Sequence, residues 1–167
     1  MCDLEGEMLT QINNPHIVKL FYWELNDGFL YSVYEFCQNG SLEEKMKNES
    51  IPEDECLKIF FELINAFETL QELSIVHRDV KSESILMKDH IHKLADLGMS
   101  QKLNSNGKAS RLAGTLKYLA LEIAFKSEEY DDKCDIWSLG VVLFRMFYTS
   151  FPLDYESIEE YSGGQKK

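Results

Sequence analysis

The chain has 167 residues, 44% hydrophobic and 28% charged, enough apolar material for one domain with a buried core and too much for a disordered chain. Its formal net charge is −12 with no basic run to relieve it, which argues against nucleic acid and anionic membrane surfaces as partners and makes a basic peptide or protein the easier one. Cys2, Cys37, Cys56 and Cys134 are too scattered for a zinc or redox motif and read as free thiols of a reducing compartment, the cytoplasm or nucleus.

In chain order, the acidic start Met1-Cys2-Asp3-Leu4-Glu5 lacks the apolar centre of a signal peptide. Leu4, Met8, Leu9 and Ile12 repeat at helical spacing until Asn13-Asn14-Pro15 stops the helix. Residues 17–25 and 29–36 are rich in β-branched and aromatic side chains and flank Asn26-Asp27-Gly28, which predicts a β-hairpin. Ser41 is placed to cap a short helix from Leu42. Pro52 and the acids Glu53, Asp54 and Glu55 suit the start of a longer helix, whose predicted buried stripe is Leu57, Phe60, Phe61, Ile64, Phe67 and Leu70.

A second small hairpin is predicted from residues 84–87 and 91–94. His90 and His92 alternate on it, and with no further ligands in sight the solvated reading is the better one for both. Residues 103–110 read as a loop around Asn104-Ser105-Asn106-Gly107. Residues 134–147 are apolar nearly all round, which predicts a buried helix; Arg145 and the short length of the run argue against a membrane span. Residues 162–167 read as a flexible tail.

The chemistry concentrates in His77-Arg78-Asp79-Val80-Lys81-Ser82-Glu83-Ser84, followed by Ile85-Leu86-Met87 and, past a turn, Asp96-Leu97-Gly98. Two acids and a lysine at opposite ends of a hairpin can bring a hydroxyl, a phosphate and a divalent ion together. In order around them stand Glu35-Phe36-Cys37, Gly114-Thr115, Tyr118-Leu119-Ala120-Leu121-Glu122 and Asp135-Ile136-Trp137-Ser138-Leu139-Gly140. The set resembles the eukaryotic protein kinase family over almost the whole chain, and Lys81 with Thr115 resembles its serine/threonine branch.

The resemblance implies an α+β, two-lobed fold, truncated here. Residues 1–36 would be a small-lobe remnant, residues 37–161 a partial, mostly helical large lobe, and 1–161 together an incomplete kinase domain. It implies ATP and Mg²⁺ as cofactors and a protein substrate, and leaves the oligomeric state open. Asp79 would accept or orient the substrate hydroxyl proton, where a lone loop Asp would merely cap amides. Lys81 would sit by the transferred phosphoryl group, and Thr115 would bond both. The Glu35 carbonyl and Cys37 amide would bond adenine, with Tyr34 at the gatekeeper position, Leu86 in the same pocket and Glu5 in the place of the glutamate on the family's C helix. Asp96 would hold Mg²⁺, since hard cations take carboxylate and phosphate oxygens together. His77, Leu9, Leu20 and Leu97 would form a spine anchored on Asp135. Arg78 would take a phosphate added at Ser105 or Ser110, or else bond loop carbonyls.

The chain also departs from the family pattern. Ser84 stands where asparagine is the second metal ligand, so weaker binding of a second metal is expected. Leu97 replaces phenylalanine, and Leu121 and Ser82 replace prolines. The family's glycine-rich loop and strand lysine precede its C helix. The first lysine here, Lys19, follows Glu5, and a late arginine to meet Glu122 has no counterpart. The expectation is a serine/threonine kinase domain present as a fragment that transfers phosphate poorly by itself, the alternative being a non-catalytic pseudokinase that binds partners.

Overall fold

Asp27 and Gly28 both adopt positive φ, 50° and 80°, the conformation that a tight two-residue hairpin turn requires. In the computed structural model, which describes residues 9–110, 112–125 and 129–153, this turn joins β1 (Leu20–Asn26) to β2 (Phe29–Tyr34), antiparallel, with Asn26 opposite Phe29 and a bulge near Leu20. The predicted hairpin is present, though its strands are shorter than the apolar runs that announced it. Leu9 and Thr10 are helical, while Leu4, Glu5 and Met8 of the predicted first helix, and the predicted tail, lie outside the described residues.

Ser41 caps α1 (Leu42–Asn48) through a reciprocal box: its side chain accepts from the Glu44 amide, and the Glu44 carboxylate accepts from the Ser41 amide at 2.8 Å. Pro52 precedes α2 (Glu53–Glu72), whose first turn carries Glu53, Asp54 and Glu55 at its positive end. The predicted stripe of α2 is corrected by the structure. Its buried row is Cys56, Ile59, Leu63, Ala66, Phe67 and Leu70, while Leu57 and Phe61 are 42% and 66% exposed. Small Cys56 and Ala66 let the helix lie close to its neighbours, and that phase buries more branched side chain than the alternative.

The remaining chain alternates short strands and helical turns: β3 (Ile75–Val76), β4 (Ile85–Lys88), β5 (Ile91–Leu94), β6 (Gln101–Lys102), β7 (Ala109–Ser110), α3 (Leu121–Ala124), β8 (Glu129–Tyr130) and α4 (Lys133–Tyr148). Four antiparallel pairs result: β1–β2, β4–β5, β3–β6 and β7–β8. Of these strands, β7 lies in the stretch predicted as loop. The fold is α+β, and its main core gathers Leu42, Ile59, Leu63, Leu70, Ile85, Leu94 and Leu139 between α1, α2, α4 and the β4–β5 hairpin.

Two further expectations are corrected. Helix α4 is not buried all round, since Ile136, Phe147 and Tyr148 are exposed. His92 is not solvated: it is buried, with Nδ1 2.7 Å from Glu62 Oε2 on α2, and only His90 faces solvent. Burial pushes the His92 imidazole below its ordinary range against the opposing pull of Glu62.

Candidate active site

The loop between β3 and β4 is held by one buried carboxylate. Asp135, at the start of α4, accepts hydrogen bonds from the His77 amide (2.7 Å) and the Arg78 amide (2.8 Å). These bonds hold Arg78 at φ 71°, a left-handed conformation that a non-glycine residue adopts at a cost of about 1–3 kcal/mol. His77 is fully buried and its Nε2 lies 2.9 Å from the Ala95 carbonyl, so it joins this loop to the end of β5. Leu9, Leu20 and Leu97 are buried in the same main core.

Beyond this anchor the loop turns Asp79 toward Lys81 and Thr115. Lys81 Nζ donates to Asp79 Oδ2 at 2.5 Å, Thr115 Oγ1 donates to Asp79 Oδ1 at 2.7 Å, and Lys81 Nζ reaches Thr115 Oγ1 at 3.3 Å. Burial pushes the Asp79 carboxyl up, but these hydrogen bonds and the Lys81 charge outweigh it and hold the group below its usual range. Burial likewise depresses Lys81, and Asp79 first, then Asp96, more than offset this, so the ammonium persists. Lys81 thus touches one acid and feels the field of the other. Asp96 is exposed and left-handed at φ 61°, ψ 58°, one residue before the turn at Leu97–Met99.

Gly114 lets the Thr115 segment approach. It has φ 113°, and a side-chain carbon there would lie 2.7 Å from the Arg78 carbonyl oxygen, so only glycine fits. Arg78 itself donates to the carbonyls of Met99 (2.6 Å) and Ser110 (3.1 Å) and to Gln101 Oε1 (2.8 Å). It therefore takes the carbonyl-bonding arrangement of its two sequence readings.

Ser84 is 2% exposed. Its hydroxyl lies 2.9 Å from the Lys81 carbonyl and 3.2 Å from that of Asp79, and accepts from the Lys81 amide at 3.1 Å. This hydroxyl closes the loop on its own backbone.

An apolar cluster sits at the other end of the site. Val18, Cys37 and Ala95 are buried together, with Leu86 packed against them. Cys37 and Leu86 were legible from sequence, whereas Val18 and Ala95 were not, although Ala95 directly precedes Asp96. Glu35 and Cys37 follow β2, and the strand end is fixed by the Glu35 amide on the Lys19 carbonyl (2.8 Å). The Glu35 carboxylate binds Lys88 (2.8 Å) and Lys93 (3.0 Å). Burial raises its pKa, but these lysines and the Lys19 amide more than reverse that, to about 2. Burial also pushes the Cys37 thiol up, keeping it protonated at neutral pH.

A family model for the protein kinase domain matches residues 3–166. The chain belongs to the protein kinase family. This kinase chain is 36% identical over 148 residues to mouse (Mus musculus) serine/threonine-protein kinase Nek4, covering 85% of itself and 19% of that protein. It is 36% identical over 153 residues to chicken (Gallus gallus) serine/threonine-protein kinase SIK2, covering 90% and 19%. With human (Homo sapiens) ribosomal protein S6 kinase alpha-2 the figures are 32% over 160 residues, covering 94% and 22%. The kinase chain thus spans about a fifth of the length of the curated relatives it matches.

The residues present fit a nucleotide with a divalent ion. The Val18–Cys37–Leu86–Ala95 cluster suits a flat apolar base, and the exposed Asp96 carboxylate suits a hard cation that also takes phosphate oxygens. Among the described residues no group of three or more His, Cys, Asp or Glu side chains forms a metal site of its own.

Proposed function

We propose that this chain carries the catalytic half of a serine/threonine protein kinase, which moves the ATP γ-phosphoryl group to a protein hydroxyl. The observation that carries the reading is the Asp79–Lys81–Thr115 contact. It holds a carboxylate whose pKa is lowered beside an ammonium, on the loop that Ser84 and Ala95 tie to the end of β5. In this reading Asp79 orients the incoming hydroxyl and takes its proton. Lys81 stabilises the charge on the moving phosphoryl oxygens. Thr115 fixes the Asp79 rotamer from the substrate side. The Cys37 amide and Glu35 carbonyl bond the base edge above Leu86, and Asp96 with the Lys81 field marks where the phosphates lie. Bound Mg²⁺ would supply neutralisation of phosphate charge at Asp96. The three described cysteines are buried free thiols, which supports a reducing compartment, cytoplasmic or nuclear.

One observation favours a second reading, a nucleotide-binding or partner-binding pseudokinase. Ser84, the second residue in line for a metal, has its hydroxyl engaged with the Asp79 and Lys81 carbonyls. Losing one preorganised charge-stabilising group costs about 100- to 1,000-fold in rate. These 167 residues carry no lysine ahead of Lys19, so by themselves they lack a partner of that kind. The chain alone is therefore proposed to transfer phosphate at background rate. The test incubates it with Mg²⁺, labelled ATP and a basic protein. Incorporation at the level of Asp79→Asn is expected, and robust turnover that Asp79→Asn abolishes would refute the proposed inactivity. A thermal-shift series with Mg²⁺ and ATP should raise Tm; an unchanged Tm would remove the nucleotide from the reading.

A further inference from the structure

The loop between β3 and β4, here the catalytic loop, meets the docking loop that carries Thr115 at Asp79, and the two meet again where Ser82 touches Tyr118. There the guanidinium of Arg145, on α4, lies among four segments. Its Nη1 is 2.6 Å from Glu43 Oε2 on α1, 2.6 Å from Ser82 Oγ on the catalytic loop and 2.5 Å from Tyr118 Oη on the docking loop. The plane stacks on Phe151, with the guanidinium carbon 4.4 Å from the ring centroid, and Tyr118 meets the same ring edge-on at 5.4 Å.

The donor count shows how the cluster is wired. Nη1 carries two hydrogens and faces three oxygens. Ser82 Oγ lies 2.6 Å from Glu43 Oε2 and 2.7 Å from Tyr118 Oη. Every oxygen is satisfied if Tyr118 donates to Ser82, Ser82 donates to Glu43, and Arg145 supplies its hydrogens to the carboxylate and the hydroxyls. The hydrogen bond from Arg145, more than burial, decides the Glu43 carboxyl, which is held at about 2. The arrangement has a cost, since the buried Nε of Arg145 has no partner among the described residues. An arginine that only stabilised α4 would not need to leave a donor unpaired in order to reach two loops.

We propose that Arg145 is a positioning residue: with Glu43 it clamps Ser82 to Tyr118, and so holds the Asp79–Lys81 loop against the Thr115 loop. Ser82 is next to Lys81, and Tyr118 follows Thr115 by three residues. The Thr115–Asp79 bond and the close approach of Gly114 to the Arg78 carbonyl join the loops near the acid, and the Ser82–Tyr118 contact adds a tie farther along both loops that resists their pivoting. This inference rests on the phosphotransfer reading for its purpose, but its geometry can be tested without any turnover.

The test is amide hydrogen exchange on the full chain. Arg145→Met should lower protection about fivefold or more at residues 82–84 and 116–119 together, and leave the interior of α2 unchanged. Arg145→Lys, whose ammonium has three hydrogens for the three oxygens, should restore much of that protection. Tyr118→Phe removes one hydroxyl and keeps the ring on Phe151. It should loosen residues 82–84, which are remote in sequence, and this arm stands alone if Arg145→Met does not fold. The proposal is overturned if Arg145→Met loses protection evenly through α2 and both loops, if Arg145→Lys behaves as Arg145→Met, or if Tyr118→Phe leaves residues 82–84 unmoved. Failure to detect ATP binding or transfer would count against the phosphotransfer reading and leave these exchange results standing.

Discussion

Ser84 shows how one short side chain can close a loop on its own backbone. Its hydroxyl is buried against the carbonyls of Asp79 and Lys81 and takes the Lys81 amide. Removing this buried hydroxyl takes a partner from the Lys81 amide and the Asp79 carbonyl, while the Lys81 carbonyl keeps the Ser84 amide, at a cost of about 1–3 kcal/mol. Ser84→Ala should therefore lower unfolding free energy by that amount in a denaturant titration. The Mg²⁺ dependence of any ATP-induced thermal shift should stay as it is, because the ion is assigned to Asp96; a lost Mg²⁺ dependence would return Ser84 to the metal site. The Asp79, Lys81 and Thr115 contacts were legible through the family resemblance that the loop and the Gly114-Thr115 segment carry, since Thr115 lies 36 positions from Asp79. Arg145 and Glu43 were not, being 102 positions apart with nothing local to relate an arginine on one helix to a glutamate on another.

At the scale of elements, α2 shows where periodicity stops being decisive. Leu57 and Phe61 continue an apolar stripe as well as Ile59 and Leu63 do, and nothing within the helix sets the phase. Contact with β5, β3 and α4 sets it. Leu63→Ala should cost about 2–5 kcal/mol, as a fully buried truncation does. Leu57→Ala should change stability by no more than about 0.5 kcal/mol, as an exposed substitution does. Equal losses in parallel urea titrations would mean the helix is rotated from the orientation described. The hairpins β1–β2 and β4–β5 and the capped start of α1 were readable because turn chemistry is local: Asp27-Gly28 and Ser41 with Glu44 act over a few residues. The pairs β3–β6 and β7–β8 were not, since two-residue strands have no period and are defined by a partner distant in sequence.

For the whole molecule, charge is the dominant property, and two acids tie it to folding. Glu35 and Glu43 are each lowered from 4.5 to about 2, Glu43 by Arg145 and Glu35 by Lys88 and Lys93 against its burial. A carboxylate with a depressed folded pKa contributes stability above its unfolded pKa. That contribution is lost as pH falls through the folded value. The denaturation midpoint should fall between pH 4.5 and about 2, and a Glu35→Gln, Glu43→Gln double variant, already less stable at neutral pH, should show a flatter decline over the same range.

The β1–β2 ribbon carries the other whole-molecule consequence. Phe21, Tyr22, Leu25, Phe29, Leu30, Tyr31, Val33 and Tyr34 are all exposed along it, so both faces and the outer edge are greasy. Repulsion between molecules that each bear a formal charge of −12 would oppose pairing of such ribbons. That repulsion reaches about 10 Å at 0.1 M salt and about 3 Å at 1 M. Dispersed at low ionic strength, the protein should cluster as sodium chloride is raised, visible as growing light scatter. Tyr31→Lys, which plants a charge in mid-strand, should postpone the onset to higher salt.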